Sequence, residues 1–500
     1  MDVGRSCSPK SNGCKRRFGL TIRVSPSVGF FRFFLEAFAM SRHDEIPFAA
    51  ESPDLSRLNR RHFIGGSTVL AGLAGSCLKA RAAEAVAEQP VSLKPIGQGK
   101  GIFPGRVVWV HDPGVVDWKG PDDGKWWEGD HVKQDHVNAM MDQAVRHLTG
   151  ADTVKEAWNR LFVHLNKSRK GVAQGYQAGQ KILIKPNWVG MIYRENVVDP
   201  ETYRFIRREN YMNTSPQMLL ALLRQLVEDV GVKPADITVC DTLAYLVHEY
   251  YDILHAHYAD VRYEDYAGKF GRIKVAASET PLYWSCRPQG AAQDVLPKCF
   301  AEADYLINLA NFKAHSGAGV TLCAKNHYGS LIRWPVQEGY YDIHPNCFSN
   351  ATAIYRPLVD LIGHAHLGGK TVLYLIDGLF SGVHPRDPVP QRMHISPMED
   401  QWSCSLFASQ DPVAIDSVAF DFLYAEGQPF PRKGGVDDYL HEAALADNPP
   451  SGTFYDPNHA EPTQRLASLG VHEHWNNPQE KKYSRNLGAD QGIELLPIKV

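Results

Sequence analysis

The segment Lys313-Ala314-His315-Ser316-Gly317-Ala318-Gly319-Val320-Thr321-Leu322-Cys323-Ala324-Lys325-Asn326 gathers two lysines, a histidine and an asparagine around a glycine-rich turn. Glycines allow a backbone to approach a ligand closely, so amide donors can face an anion such as a carboxylate or a phosphate. Lys313 and Lys325 would supply positive charge, and His315 a proton-transfer group suited to neutral pH. These three are the candidate catalytic residues. The rival reading is a plain glycine-rich turn with solvated lysines.

Similar residues stand where other apolar runs end. Residues 181–184 lead into Lys185-Pro186-Asn187, residues 237–240 into Asp241-Thr242, residues 305–309 into Asn311-Phe312-Lys313, and residues 371–376 into Asp377-Gly378. In open parallel sheets ligands gather beyond the carboxyl ends of the strands. Lys185, Asn187, Asp241, Asn326 and Asp377 therefore join the candidate site as substrate-binding residues. Taken singly, each has a structural explanation: Asp377-Gly378 makes a turn, and Asp241-Thr242 caps a helix. Taken together they carry more weight, because lysines brought beside carboxylates need a partner or a ligand.

The elements that must position these groups alternate. The clearest helix opens at Ser215-Pro216, with Leu219, Leu222, Leu223, Leu226, Val227 and Val230 on one face and Gly231 as its stop. Further helical stretches fall around residues 132–148 and 154–166. Asp411-Pro412 reads as an N-cap and first turn, with Ile415, Val418, Ala419, Phe422 and Leu423 as the apolar stripe. Asp416, one turn on, suits the helix dipole and is also a candidate substrate-binding residue. Strands alternating with helices predict an α/β fold, a largely parallel Rossmann-like sheet covered by helices.

Lys185-Pro186-Asn187, the Lys313-x-His315 to Lys325-Asn326 segment and Asp411-Pro412-Val413-Ala414-Ile415-Asp416 occur in an order that resembles the domain of unknown function 362 family, over residues 106–425. The resemblance implies an α/β domain with no assigned reaction. Some relatives append a ferredoxin-like iron-sulfur module. This chain has nine cysteines but no Cys-x-x-Cys pair, so no local iron-sulfur motif is present.

The N-terminal part reads as an export signal. Asn59-Arg60-Arg61-His62-Phe63 sets paired arginines before a weakly hydrophobic run from Gly66 to Leu78, which Ala80-Arg81-Ala82 closes. That order predicts a twin-arginine signal, with Arg60 and Arg61 read by the twin-arginine translocase and a periplasmic or otherwise exported product. The run is about 13 residues, short of the roughly 20 that a spanning helix needs, so stable membrane insertion is not expected. Residues 1–39 read as an upstream extension with translation starting at Met40, 40–83 as the signal peptide and 84–103 as a linker. Residues 104–425 form the α/β domain, and 426–500 an irregular C-terminal extension packed on it.

A net charge of −3 gives no basic field for nucleic acid. Trp126-Trp127 could stack on a sugar ring, although buried tryptophans are commoner. A cofactor is not identified. A metal is left open, but no ligand set is assigned: His364 and His366 would diverge on a helix, and His472-Glu473-His474 sits in sequence that reads as irregular. The expected function is an enzyme acting on a small anionic ligand by acid–base and electrostatic catalysis. The alternatives are a non-catalytic periplasmic binding protein for such a ligand and, less favoured, a metal-dependent redox protein.

Overall fold

Short β-branched and apolar runs become strands here because both faces of each can be buried. Val107 and Trp109 of one run point into one core, and Val108 and Val110 into the other. The computed structural model describes residues 94–193, 196–287, 294–332, 342–427, 429–430 and 433–500. The expected extension, the signal peptide with Arg60 and Arg61, and the first part of the linker lie outside the described residues.

Ten strands form the central sheet: β1 Arg106–His111, β2 Ile182–Pro186, β3 Ile237–Cys240, β4 Arg262–Asp265, β5 Ile273–Lys274, β6 Tyr305–His315, β7 Gly319–Val320, β8 Thr371–Gly382, β9 Ser405–Ser409 and β10 Glu494–Lys499. The order across it is β10-β1-β9-β8-β6-β2-β3-β4-β5, with β7 turning back on β6 as a short hairpin. Apart from β9 and β7, which pair antiparallel, neighbouring strands run parallel. The structure is thus a mixed α/β fold with a large, mostly parallel sheet flanked by helices.

One face of the sheet carries α1 Gln134–Thr149, α2 Val154–Lys170, α3 Pro216–Arg224 and α4 His248–His257. The other carries α5 Lys298–Glu302, α6 Leu322–Asn326, α7 His344–Phe348, α8 Pro357–Gly363, α9 Pro412–Glu426 and α10 Gly434–Ala444. The Ser215 side chain caps α3 by accepting from the Met218 amide at 3.2 Å, and the helix continues as a wider π turn to Val230 before Gly231 ends it in the left-handed region. The Asp411 side chain caps α9 through the amides of Val413 and Ala414, at 3.0 and 2.8 Å. Trp126 and Trp127 are core residues, 5.3 Å apart edge to face, which leaves no surface for a sugar to stack on.

Two features depart from the sequence reading. The strands expected to stop near residues 309 and 376 continue to His315 and Gly382. The C-terminal extension also supplies a helix, α10, and the edge strand β10, which pairs in parallel with β1. Pro497 hides β10 in the sequence; on an edge strand its missing amide costs no ladder bond. Among the described residues no helix is long and apolar enough to cross a membrane.

Candidate functional site

The carboxyl ends of β2, β3 and β6, together with the β6–β7 hairpin and α6, enclose a cavity of about 310 Å³. Lys185, Asn187, Asp241, Lys313, His315, Lys325 and Asn326 all line it. Alternation along β6 puts Lys313 and His315 on one side of the strand, and the hairpin pairs Ala314 with Val320 and His315 with Gly319.

One wall is a closed polar network. Lys185 Nζ lies 3.0 Å from Asp241 Oδ2 and 3.2 Å from Asn326 Oδ1, and it also donates to the Pro186 carbonyl. Asn326 Oδ1 accepts from Asn187 Nδ2 at 3.1 Å, while Asn326 Nδ2 donates to Asn308 Oδ1 at 2.8 Å. Asp241 is further held by the amides of Trp188 and Leu243. Gly329 closes over this pair: a Cβ there would lie 2.9 Å from Asp241 Oδ1 and 3.0 Å from Lys185 Nζ. Asn187 Oδ1 is the exception in the network, buried and without a hydrogen-bond partner.

The opposite wall is cationic. Lys313 is 1 % exposed and donates to Thr321 Oγ1, while Lys325 is part-buried with its ammonium 5.7 Å from the Tyr328 ring centroid. Among the described residues neither lysine has a carboxylate within ion-pair distance, in contrast to Lys185. Burial, and then the charge of Lys325, hold Lys313 well below the ordinary lysine range. Burial also lowers Lys325. His315 is pushed far down by burial, by Lys325 and Lys313, and by His344 and His384.

The hairpin amides fix the His315 tautomer. Gly317 and Ala318 both donate to Nδ1, at 3.2 and 3.1 Å, so the proton of the neutral ring resides on Nε2. The ring is therefore an N–H donor rather than a ready cation. A buried amine whose proton affinity is lowered by burial and by a neighbouring cation, as for Lys313, is suited to act as a base or nucleophile.

Asp377 and Asp416 stand outside the cavity lining. Because β8 runs on past residue 376, Asp377 lies within the strand and accepts from the Ser215 amide at 2.7 Å and the Leu379 amide at 3.2 Å, anchoring the start of α3. Asp416 accepts from the amides of Cys323 and Ala324, at 2.8 and 3.0 Å, and from the Tyr439 hydroxyl at 2.7 Å. It thereby caps α6, the helix that presents Lys325. Asp416 thus bears on the site through α6, whereas Asp377 holds α3 on the other face of the sheet.

The sequence reading missed His384 and Arg386, which line the cavity from the loop after β8. The signal was available: they follow the true end of that strand, just as Lys185 and Asp241 stand at theirs. Arg386 is the fourth basic side chain lining the cavity after Lys185, Lys313 and Lys325, with Nη2 3.4 Å from His384 Nε2.

Two groups of side chains have ligand atoms close enough to share a metal ion, Cys240 with Glu264 and Cys299, and Asp437 with His472 and His474. Neither belongs to the cavity lining. His364 and His366 instead bond the carbonyls of Pro281 and Ala301, both at 3.1 Å, so that pair is structural.

No curated protein and no solved structure matches the chain. Residues 182–421 match the family described as Domain of unknown function (DUF362), a narrower span than 106–425. Since Lys185 and Arg386 bracket the cavity lining in sequence, the whole candidate site lies inside the span that matches this family.

Proposed function

We propose that this is an exported enzyme that acts on a small carboxylate or phosphate substrate by acid–base and electrostatic catalysis. One observation carries the reading: Lys313 and Lys325 line one cavity without a carboxylate partner among the described residues, while Lys185 beside them is paired. A buried cation left unpaired is costly, and an anion between the two lysines removes that cost. In this reading Lys325 and Arg386 hold the anionic group and His315 donates a hydrogen bond from its Nε2–H to a developing negative charge. Lys313, whose proton affinity burial and Lys325 lower, takes up the proton that the substrate loses.

Titration of the purified protein with sulfate, phosphate and small carboxylates by calorimetry tests the anion site. A panel of phosphorylated and carboxylated compounds then tests for turnover. With a substrate in hand, His315→Gln is expected to keep binding and to lower turnover by about 10²–10⁴-fold. A ligand that binds but is never converted, with His315→Gln altering affinity alone, would favour the non-catalytic binding protein. The export part rests on Arg60-Arg61 and the run that follows. Replacing both arginines with lysine is expected to leave precursor in the cytoplasm, because the receptor reads the paired guanidinium groups. Normal periplasmic accumulation would refute it.

A further inference from the structure

His472-Glu473-His474 lies beyond the DUF362 match and far from the cavity lining in the sequence. Its first residue belongs to a two-residue strand, Val471–His472, which pairs with Ile96–Gly97. Extended backbone sends alternate side chains to opposite sides. Glu473 accordingly turns to the C-terminal segment, accepting from the Ser484 amide and hydroxyl and from the Ile493 amide. His472 and His474 turn together toward α9 and α10, with ring centroids 5.0 Å apart.

There they meet a carboxylate and two orienting groups. Asp437, in the first turn of α10, places Oδ1 3.1 Å from His474 Nε2. Asp421 on α9 lies 2.6 Å from the other nitrogen, His474 Nδ1. Ser417, one turn earlier on α9, bonds His472 Nδ1 at 2.8 Å. One ligand atom from each of Asp437, His472 and His474 falls within 4.8 Å of the other two.

We propose that Asp437, His472 and His474 form a binding site for a divalent transition-metal ion, zinc being the ion their chemistry suits best. Two imidazoles and a carboxylate are a borderline-soft set of the kind zinc takes, with a fourth position left for water or for His441, whose ring is 5.0 Å from that of His472. The 3.1 Å gap between Asp437 Oδ1 and His474 Nε2 is close to the roughly 3.3 Å edge of a tetrahedron with ~2.0–2.1 Å bonds. Metal-ligating histidines almost always engage a carboxylate, carbonyl or water through their second nitrogen, which fixes tautomer and ring orientation. Asp421 does this for His474 and Ser417 for His472. The side chains of Asp437 and His474 remain 23 % and 17 % exposed, so an ion reaches them from solvent. A bound ion would tie α10 to the segment that leads to β10, adding to the core they share through Val436, Leu440, Val471 and Trp475.

The test uses the full mature protein after dialysis against a chelator, titrated with Zn²⁺ by calorimetry and with Co²⁺ by visible absorption. One equivalent is expected to bind and to raise the melting temperature. Asp437→Asn and His474→Gln should each abolish that uptake and the thermal shift, and Asp421→Asn should weaken binding by about 10–100-fold. Cys299→Ser, which removes the rival Cys240–Glu264–Cys299 cluster, should change nothing. X-ray absorption of the zinc-loaded wild-type protein reads the ligands directly, should a variant fold poorly: two imidazoles and no sulfur are expected. Absence of stoichiometric uptake by the wild-type protein, uptake undiminished in His474→Gln, loss of uptake in Cys299→Ser, or sulfur in the absorption spectrum would each overturn the site. Absent uptake would leave His474 braced between Asp421 and Asp437 as an ion pair.

Discussion

Lys185 Nζ and Asp241 Oδ2 stand 3.0 Å apart at the ends of adjacent strands β2 and β3, with side-chain exposures of 0 % and 6 %. A buried pair of this kind contributes little net stability, yet removing one member leaves the other charge uncompensated. Lys185→Met is therefore expected to destabilise the protein by about 3–5 kcal/mol in urea unfolding. A loss under about 1 kcal/mol would mean that the amides of Trp188 and Leu243 suffice to hold the Asp241 charge.

Lys313 is the opposite case, without a carboxylate at ion-pair distance among the described residues and held down by burial and then by the charge of Lys325. Lys313→Met and Lys325→Met should each abolish sulfate binding in calorimetry while leaving the melting temperature unchanged or slightly higher, since each removes a buried amine whose charged form the empty cavity disfavours. If both variants melt early and still bind sulfate, the two lysines serve structure and the cavity is not an anion site.

How far the sequence could go is visible in particular residues. Lys185, Asn187, Asp241, Lys313 and His315 are legible because strand ends in parallel sheets are where ligands gather, a rule that needs only strand positions, while Lys325 and Asn326 stand out through the glycine-rich segment that carries them. The same rule misplaced Asp377, because the run after Ile376 lacks β-branched residues and hides six further residues of β8. It then overlooked His384 and Arg386 at the true strand end. The ligand trio of Asp437, His472 and His474 was illegible for another reason: α10 and a two-residue strand come together only in the fold. Pairing partners of Lys185 and the tautomer of His315 likewise depend on contacts that no local pattern encodes.

Sulfate keeps its charge across the neutral range, so its binding reports on the protein's own protons. The lysine amines Lys313 and Lys325 are depressed in the folded protein. Such groups contribute stability that is present above their unfolded value, near 10.4, and lost as pH falls through the lowered folded value. A bound anion favours the charged form and raises those values again. Sulfate binding should therefore take up protons, seen as buffer-dependent heats, and tighten as pH falls below the ordinary lysine range. Affinity independent of pH, with no proton uptake, would show that both lysines are already charged in the empty cavity.

Asp416 and Asp377 separate indirect positioning from plain stability. Asp416 caps α6 and so places Lys325, whereas Asp377 anchors α3 on the other face of the sheet. Burial raises the Asp416 carboxyl to about 6, against the opposing hydrogen bonds from Tyr439, Ala324 and Cys323. A carboxyl raised above its unfolded value, near 3.9, contributes stability that is complete below that value and is lost as pH rises through about 6. Asp416→Asn removes this titration, so the fall in stability between about pH 4 and 6 should flatten. It also replaces one acceptor oxygen by a donor facing a backbone amide or the Tyr439 hydroxyl, which should cost about 1–3 kcal/mol. Because Lys325 loses its fixed helix, sulfate affinity should fall as well. Asp377→Asn is expected to destabilise to a similar degree with sulfate affinity intact. Equal losses of affinity in the two variants, scaling only with their loss of stability, would show that Asp416 has no positioning role toward Lys325.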